Sequence, residues 1–275
     1  MGRGPDASII FADMDGTFLA SSKAVPSLNM RLLDVVAERG SIFVPCTGRP
    51  VSAVPAEVLA HDATRYVVAS NGSVIYDVKA QKRVHVSGMN KQQVLELYDR
   101  VRNLEVTFDI FADGEVYAER QRYEAMSSYG IDTPTLEMLK KVRRPMDLPV
   151  PEIVALAQDV EKVTCFWRGA AERDALERAI AKMEGFVAAH GHPKNFELQT
   201  RGVHKGYGLT WLCEWLGIPV GDSVAFGDEA NDITMLQAAG VAVAMANATD
   251  EVRTVADCIT ASNDDAGVAR YFGWV

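Results

Sequence analysis

Ile9-Ile10-Phe11-Ala12-Asp13-Met14-Asp15-Gly16-Thr17 is a short apolar run that stops at two carboxylates one residue apart, followed by a glycine and a threonine. The apolar part does not alternate, which predicts a strand buried on both faces, as in a parallel sheet covered by helices. Asp13 and Asp15 then stand at the carboxyl end of that strand, the edge at which open α/β sheets bind ligands. Two acids this close repel unless a proton or a cation neutralises them. The same letters also describe an Asp-Gly turn leaving a strand, and the stretch alone does not separate a turn from a catalytic pair.

Working outward, Ser27 is placed to cap a helix running to about residue 39, with an apolar stripe of Leu28, Leu32, Val35 and Val36 and a stop at Gly40. Residues 42–46 read as the next strand, so strand, helix and strand form a βαβ unit with parallel strands. That strand ends in Thr47-Gly48-Arg49-Pro50, either a loop with a helix-starting proline or a hydroxyl and free N–H groups able to hold an anion. Tyr66–Ala69 is a further strand, and Ser70-Asn71-Gly72-Ser73 follows it. Three successive strands therefore end in hydrogen-bonding groups.

From about residue 81 the texture changes. Asn90 and Gln93 resemble a capping box for a helix to about 102. Val106, Phe108 and Ile110 alternate like a half-buried strand, Asp113-Gly114 is a hairpin signal and 116–118 is the return strand. The stretch carrying Pro134, Pro145, Pro149 and Pro151 reads as looser chain. Strands at 164–167, Phe186–Ala189 and 196–199, with a helix over 171–184, complete an antiparallel sheet with helices on one face. The parallel texture then resumes. Lys205–Leu216 is a helix stopped by Gly217, 223–226 a strand ending in Gly227-Asp228-Glu229-Ala230-Asn231-Asp232, and a helix runs from there to about 239. Val241–Ala244 is a strand, with helices at 250–256 and Gly267–Phe272. The predicted fold class is α/β: a Rossmann-like parallel-sheet core, 1–83 and 199–275, interrupted by an inserted α+β domain at 84–198.

Size and composition are those of an ordinary soluble globular protein. The chain has 275 residues, 48% of them hydrophobic and 24% charged. No run approaches the ~18 apolar residues of a membrane span, and the first residues lack the apolar core of a signal peptide. The formal charge of −9 argues against a general nucleic-acid binder, which is usually basic. Cys46, Cys165, Cys213 and Cys258 are scattered, which suits reduced thiols in a cytoplasmic protein rather than a zinc site or a disulfide framework. His190 and His192 are spaced like a metal pair or a surface turn, and His204 is placed to meet an anion or solvent.

Asp13-x-Asp15-Gly-Thr17, Thr47-Gly48-Arg49, Asn71-Gly72, Gly202-Val-x-Lys205-Gly206 and Gly227-Asp228-x-x-Asn231-Asp232 occur in one order along the chain. In that order and spacing the sequence resembles the haloacid dehalogenase (HAD) superfamily of phosphatases, in its Cof-type group with a C2-type cap, over essentially its whole length. The resemblance implies an Mg2+-dependent phosphatase acting on small phosphorylated metabolites such as sugar phosphates. Asp13 would be the nucleophile, forming an aspartyl-phosphate, and Asp15 the acid/base. Thr47, Gly48, Asn71, Lys205 and Asn231 would hold the phosphoryl group. The side chains of Asp13 and Asp228 and the backbone carbonyl of Asp15 would hold the metal, supported by Asp232. It places the choice of leaving group in the cap, with Asp113, Gly114, Glu115 and the stretch 120–129 as candidates. No nucleic-acid or membrane partner is expected, and the oligomeric state is not readable. A phosphosugar mutase using the same site, a phospho-acceptor signalling domain and a non-catalytic binder of phosphometabolites are the rival readings.

Overall fold

The computed structural model describes residues 7–189 and 192–274. The chain begins with β1 (Ile9–Ala12), α1 (Ser27–Glu38), β2 (Ile42–Pro45), α2 (Ala56–Leu59), β3 (Tyr66–Ala69), β4 (Val74–Asp77) and β5 (Lys82–Val86). Then come α3 (Lys91–Val101), β6 (Asp109–Ala112), β7 (Glu115–Glu119), α4 (Arg120–Ala125), α5 (Thr133–Val142), β8 (Arg143–Met146), α6 (Val150–Leu156), β9 (Val160–Phe166), α7 (Ala170–Ile180), β10 (Phe186–Ala189) and β11 (Asn195–Thr200). The last segment holds α8 (Lys205–Leu216), β12 (Ser223–Gly227), α9 (Ile233–Ala238), β13 (Val241–Ala244), α10 (Asp250–Val255), β14 (Cys258–Ile259) and α11 (Gly267–Phe272). These elements divide into two units. The first takes the chain up to Arg49, Val54–His85 and everything from Val203 onwards; the second takes Pro50–Ala53 and Val86–Gly202.

The first unit is built on a parallel sheet in the order β14-β13-β12-β1-β2. All four residues of β1 are buried, as a central strand covered on both faces requires. β3 continues the sheet beside β2 through parallel bridges at Phe43–Thr64 and Cys46–Val68, and pairs antiparallel with β4 in a further ribbon, β3-β4-β5. Register fixes what meets at the carboxyl edge. Ala12 lies beside both Phe226 and Pro45, so Asp13, Asp228 and Thr47 emerge together one or two residues later. Ser27 does not cap α1: it is the first helical residue, Pro26 precedes it, and no side chain caps that end. The nearby buried polar group that does bond is Asn29, which donates to the Phe18 carbonyl at 2.8 Å and accepts from the Ala269 N–H at 3.2 Å.

The second unit carries a six-stranded sheet, β10-β11-β9-β6-β7-β8, antiparallel except for the β7/β8 pair. Asn90 caps α3, accepting from the N–H groups of Gln92 and Gln93. The Gln93 side chain instead donates to the Glu184 carbonyl, so only half of the capping box forms. The proline-bearing stretch is more regular than its sequence reads: it forms α5, β8 and α6. Asp132 caps α5, and Pro134 and Pro151 occupy first-turn positions where a missing N–H costs nothing. Pro145 lies on an edge strand, the one place in a sheet that tolerates it. Helical chain also covers both faces rather than one. Val163 and Cys165 of β9 join the core formed with α3, α6 and α7. Phe166, pointing the other way by the two-residue alternation of a strand, packs with Met126, Tyr129, Ile131 and Leu139 from the α4–α5 segment. Among the described residues no helix is long and apolar enough to cross a membrane, and the four cysteines are free, three of them buried.

Candidate active site

The centre of the site is a buried ammonium among carboxylates. Lys205 is the first residue of α8, whose end is capped by the His204 side chain accepting from the Tyr207 N–H at 3.0 Å. His204 itself is exposed. Lys205 is fully buried, and its Nζ donates to Asp13 Oδ1 at 2.7 Å and to Asp232 Oδ1 at 2.6 Å. Burial alone would lower the Lys205 pKa, but the charges of Asp13 and Asp232 outweigh it and hold the ammonium above its ordinary value. Burial drives Asp13 the other way for a carboxyl, well upward, against the pull of Lys205.

Asp13, Asp228 and Asp232 present oxygens within 4.8 Å of one another. Both oxygens of Asp232 are committed: Oδ1 to Lys205, and Oδ2 to the N–H groups of Asp228 at 2.9 Å and Glu229 at 3.1 Å. Asp232 therefore brackets the cluster and orients the turn after β12. Asp228 accepts from the Thr17 hydroxyl at 2.7 Å. Burial first, and the nearby charge of Asp232 second, push the Asp228 pKa up to about 7 despite that hydrogen bond. Gly16 is required beside it: φ is +76°, and a Cβ there would lie 2.1 Å from Asp228 Oδ2. Three buried carboxylates share one ammonium, so the cluster is short of positive charge, and its donors are all oxygen. That donor set suits a hard divalent cation such as Mg2+.

The phosphate-side candidates also converge in the first unit. Asn71, in left-handed backbone with φ 54° and ψ 36°, donates its N–H to the Thr47 carbonyl at 3.0 Å. Its Oδ1 accepts from Asn231 Nδ2 at 3.2 Å and lies so near Gly48 that a Cβ there would sit 2.9 Å from it. Thr47 is buried, and its hydroxyl accepts from the Arg49 N–H at 3.1 Å.

Asp15 is placed differently from Asp13. Its carboxylate takes a two-point bond from Arg49, Nε to Oδ2 at 2.7 Å and Nη2 to Oδ1 at 2.6 Å, and a third from Lys23 Nζ at 2.7 Å. Burial would raise its pKa, but Arg49 and then Lys23 outweigh this and bring it down to about 2. The sequence reading gave Arg49 no firm role and did not single out Lys23. Nor did it assign Thr17 a bond, or notice Asn247, whose Nδ2 reaches the Gly16 carbonyl and Asp228. The only advance signal was that Arg49 and Thr17 lie inside the quoted motifs. His190 lies outside the described residues. His192 has both ring nitrogens engaged locally, Nε2 with Asp132 at 3.0 Å and Nδ1 with the Lys194 N–H at 3.1 Å, the arrangement of a turn.

Comparison with known proteins gives the family. The chain is 26% identical to the pyridoxal phosphate phosphatase YbhA of Escherichia coli, covering 96% of each protein. It is 25% identical to the 5-amino-6-(5-phospho-D-ribitylamino)uracil phosphatase YwtE of Bacillus subtilis, covering 95% of this chain and 96% of that one. The fold matches a solved haloacid dehalogenase-like hydrolase from B. subtilis with a TM-score of 0.81 at 24% identity, over 98% of this chain and 99% of that one. A family match runs from residue 10 to residue 272, from the strand that delivers Asp13 to the last helix, and by that extent the chain belongs to the haloacid dehalogenase-like hydrolases.

Proposed function

We propose that the protein is an Mg2+-dependent phosphatase that hydrolyses small phosphorylated metabolites, such as sugar phosphates, through an aspartyl-phosphate on Asp13. The observation that carries this reading is the buried Asp13–Lys205–Asp232 chain beside Asp228. A carboxylate is a useful nucleophile toward a phosphate monoester only where cations offset the meeting of two anions. Relatives that act on pyridoxal phosphate and on a phosphorylated ribitylaminouracil support a small phosphorylated substrate.

Lys205 occupies Asp13 Oδ1, which leaves Oδ2 to attack phosphorus. The bond to the leaving oxygen breaks as the Asp13–phosphorus bond forms, and protonated Asp15 gives that oxygen its proton. Water then attacks the same phosphorus, Asp15 takes the proton back, and phosphate and free Asp13 result. Arg49 and Lys23 hold Asp15 in the ionised form that the second step uses. The first step requires its release from them. Thr47, the Gly48 N–H, Asn71 and Asn231 orient the phosphoryl oxygens. The Asp13 and Asp228 side chains and the Asp15 carbonyl would hold Mg2+, which supplies positive charge against the phosphoryl group. The inserted α+β domain, at 84–198, is assigned the choice of leaving group.

The test is a phosphate-release screen over phosphorylated metabolites with Mg2+. Released phosphate supports the reading. A hexose 1-phosphate converted to another sugar phosphate without release would replace it by a mutase.

A pH dependence follows from Asp228. Its folded pKa of about 7 lies above the unfolded value, so in metal-free protein the stability tied to this group is full at low pH and lost as pH rises through about 7. A metal ligand must be deprotonated to bind, so the cation's contribution runs in the opposite direction. Melting curves should show a larger Mg2+-dependent rise at about pH 8 than at about pH 6. Equal rises at both would remove Asp228 from the metal shell.

A further inference from the structure

Asn247 lies in the turn after β13, exposed to solvent, yet each polar atom of its side chain is engaged. Nδ2 donates to the Gly16 carbonyl at 2.8 Å and reaches Asp228 Oδ2 at 3.4 Å, and Oδ1 accepts from the Asn263 N–H at 3.0 Å. Asn263 in turn donates to the Leu19 carbonyl at 3.0 Å. The turn itself is anchored under Asp228 by backbone bonds, Met245 N–H to the Gly227 carbonyl and Thr249 N–H to the Asp228 carbonyl. One amide thus ties together the loop that follows Asp15 and the carboxylate of Asp228, segments more than two hundred residues apart in sequence.

We infer that Asn247 is a positioning residue for the divalent cation, acting through Asp228. Asp228 can rotate about its side-chain bonds, and in a cluster of like charges it has reason to turn away from Asp232. Thr17 fixes one oxygen; Asn247 restrains the other and holds the carbonyl of Gly16, the residue that follows Asp15. Partners that orient a ligating carboxylate typically change metal affinity by about 10- to 100-fold when removed. Because Asn247 is exposed, its truncation leaves no cavity in the core, so an effect on the cation is separable from an effect on folding.

The inference rests on the Mg2+ reading above, and one titration separates the two. Mg2+ alone is titrated into wild type, Asn247→Ala and the volume-retaining Asn247→Leu, following melting temperature, and phosphate release is then followed against Mg2+ concentration. The expected result, read against each variant's own metal-free melting temperature, is a midpoint for Mg2+ moved up roughly 10-fold or more in both variants and phosphate release restored at saturating Mg2+. Mg2+ curves that superimpose on wild type would overturn the inference, as would a loss of activity that no Mg2+ concentration restores. A wild type that shows no response to Mg2+ would overturn the metal reading itself.

Discussion

Asp13→Asn is expected to abolish phosphate release, by roughly 10⁴–10⁶-fold, the scale seen when a covalent nucleophile is removed. The asparagine side chain keeps the shape and can still meet Lys205, but it offers an amide in place of the carboxylate oxygen that attacks phosphorus. The fold should not suffer. Asp13 is buried, and burial together with the charges of Asp232, Asp15 and Asp228 opposes its ionisation by more than Lys205 favours it. Neutralising it removes like-charge repulsion from a crowded site. The expected outcome is therefore an inactive protein that melts at or above the wild-type temperature without Mg2+. Release of phosphate from p-nitrophenyl phosphate, read beside a melting curve, checks both halves. Full activity would sink the nucleophile assignment; inactivity with a collapsed melting temperature would make Asp13 a structural group instead.

The residues at the centre of this argument were legible in the sequence because the chain marks them twice. Asp13, Thr47 and Asp228 each end an apolar run, and a parallel sheet in register turns the ends of neighbouring runs into one edge. Lys205 was legible only through the motif around it, since a lysine opening a helix is ordinarily solvated; its burial depends on acids delivered by β1 and the turn after β12. What the sequence hid depends on the reach of side chains across segments. Nothing in the pattern says that Arg49 crosses to Asp15, or that Asn247 comes back to Gly16 and Asp228. In the second unit the prolines misled, because a proline breaks a helix or strand only from within, and here they sit in first turns and on an edge. The expectation of helices on one face failed for a related reason: Phe166 and Cys165 are both apolar, and only the strand's alternation sends them to different cores.

Lys205→Met should be the most damaging single change to stability. The methionine side chain is of similar length and fills the space, but the ammonium that satisfies Asp13 Oδ1 and Asp232 Oδ1 is gone, from a position with no solvent exposure. Removing one partner of a buried ion pair costs about 3–5 kcal/mol, because the remaining charge is left uncompensated. In a chain of this size that corresponds to a fall in melting temperature of roughly 10 °C. The pH dependence gives the cause. Without the ammonium, Asp13, whose carboxyl burial already holds well above its ordinary value, binds its proton more readily still in the folded state. The deficit against wild type should then be largest at about pH 8 and shrink at about pH 5.5. Pairing the change with Asp232→Asn should recover part of the loss, because the two side chains share one interaction and their effects cannot add. A melting temperature unchanged at neutral pH would show that Lys205 does not neutralise the cluster. A deficit that neither low pH nor Asp232→Asn relieves would assign the loss to packing rather than charge.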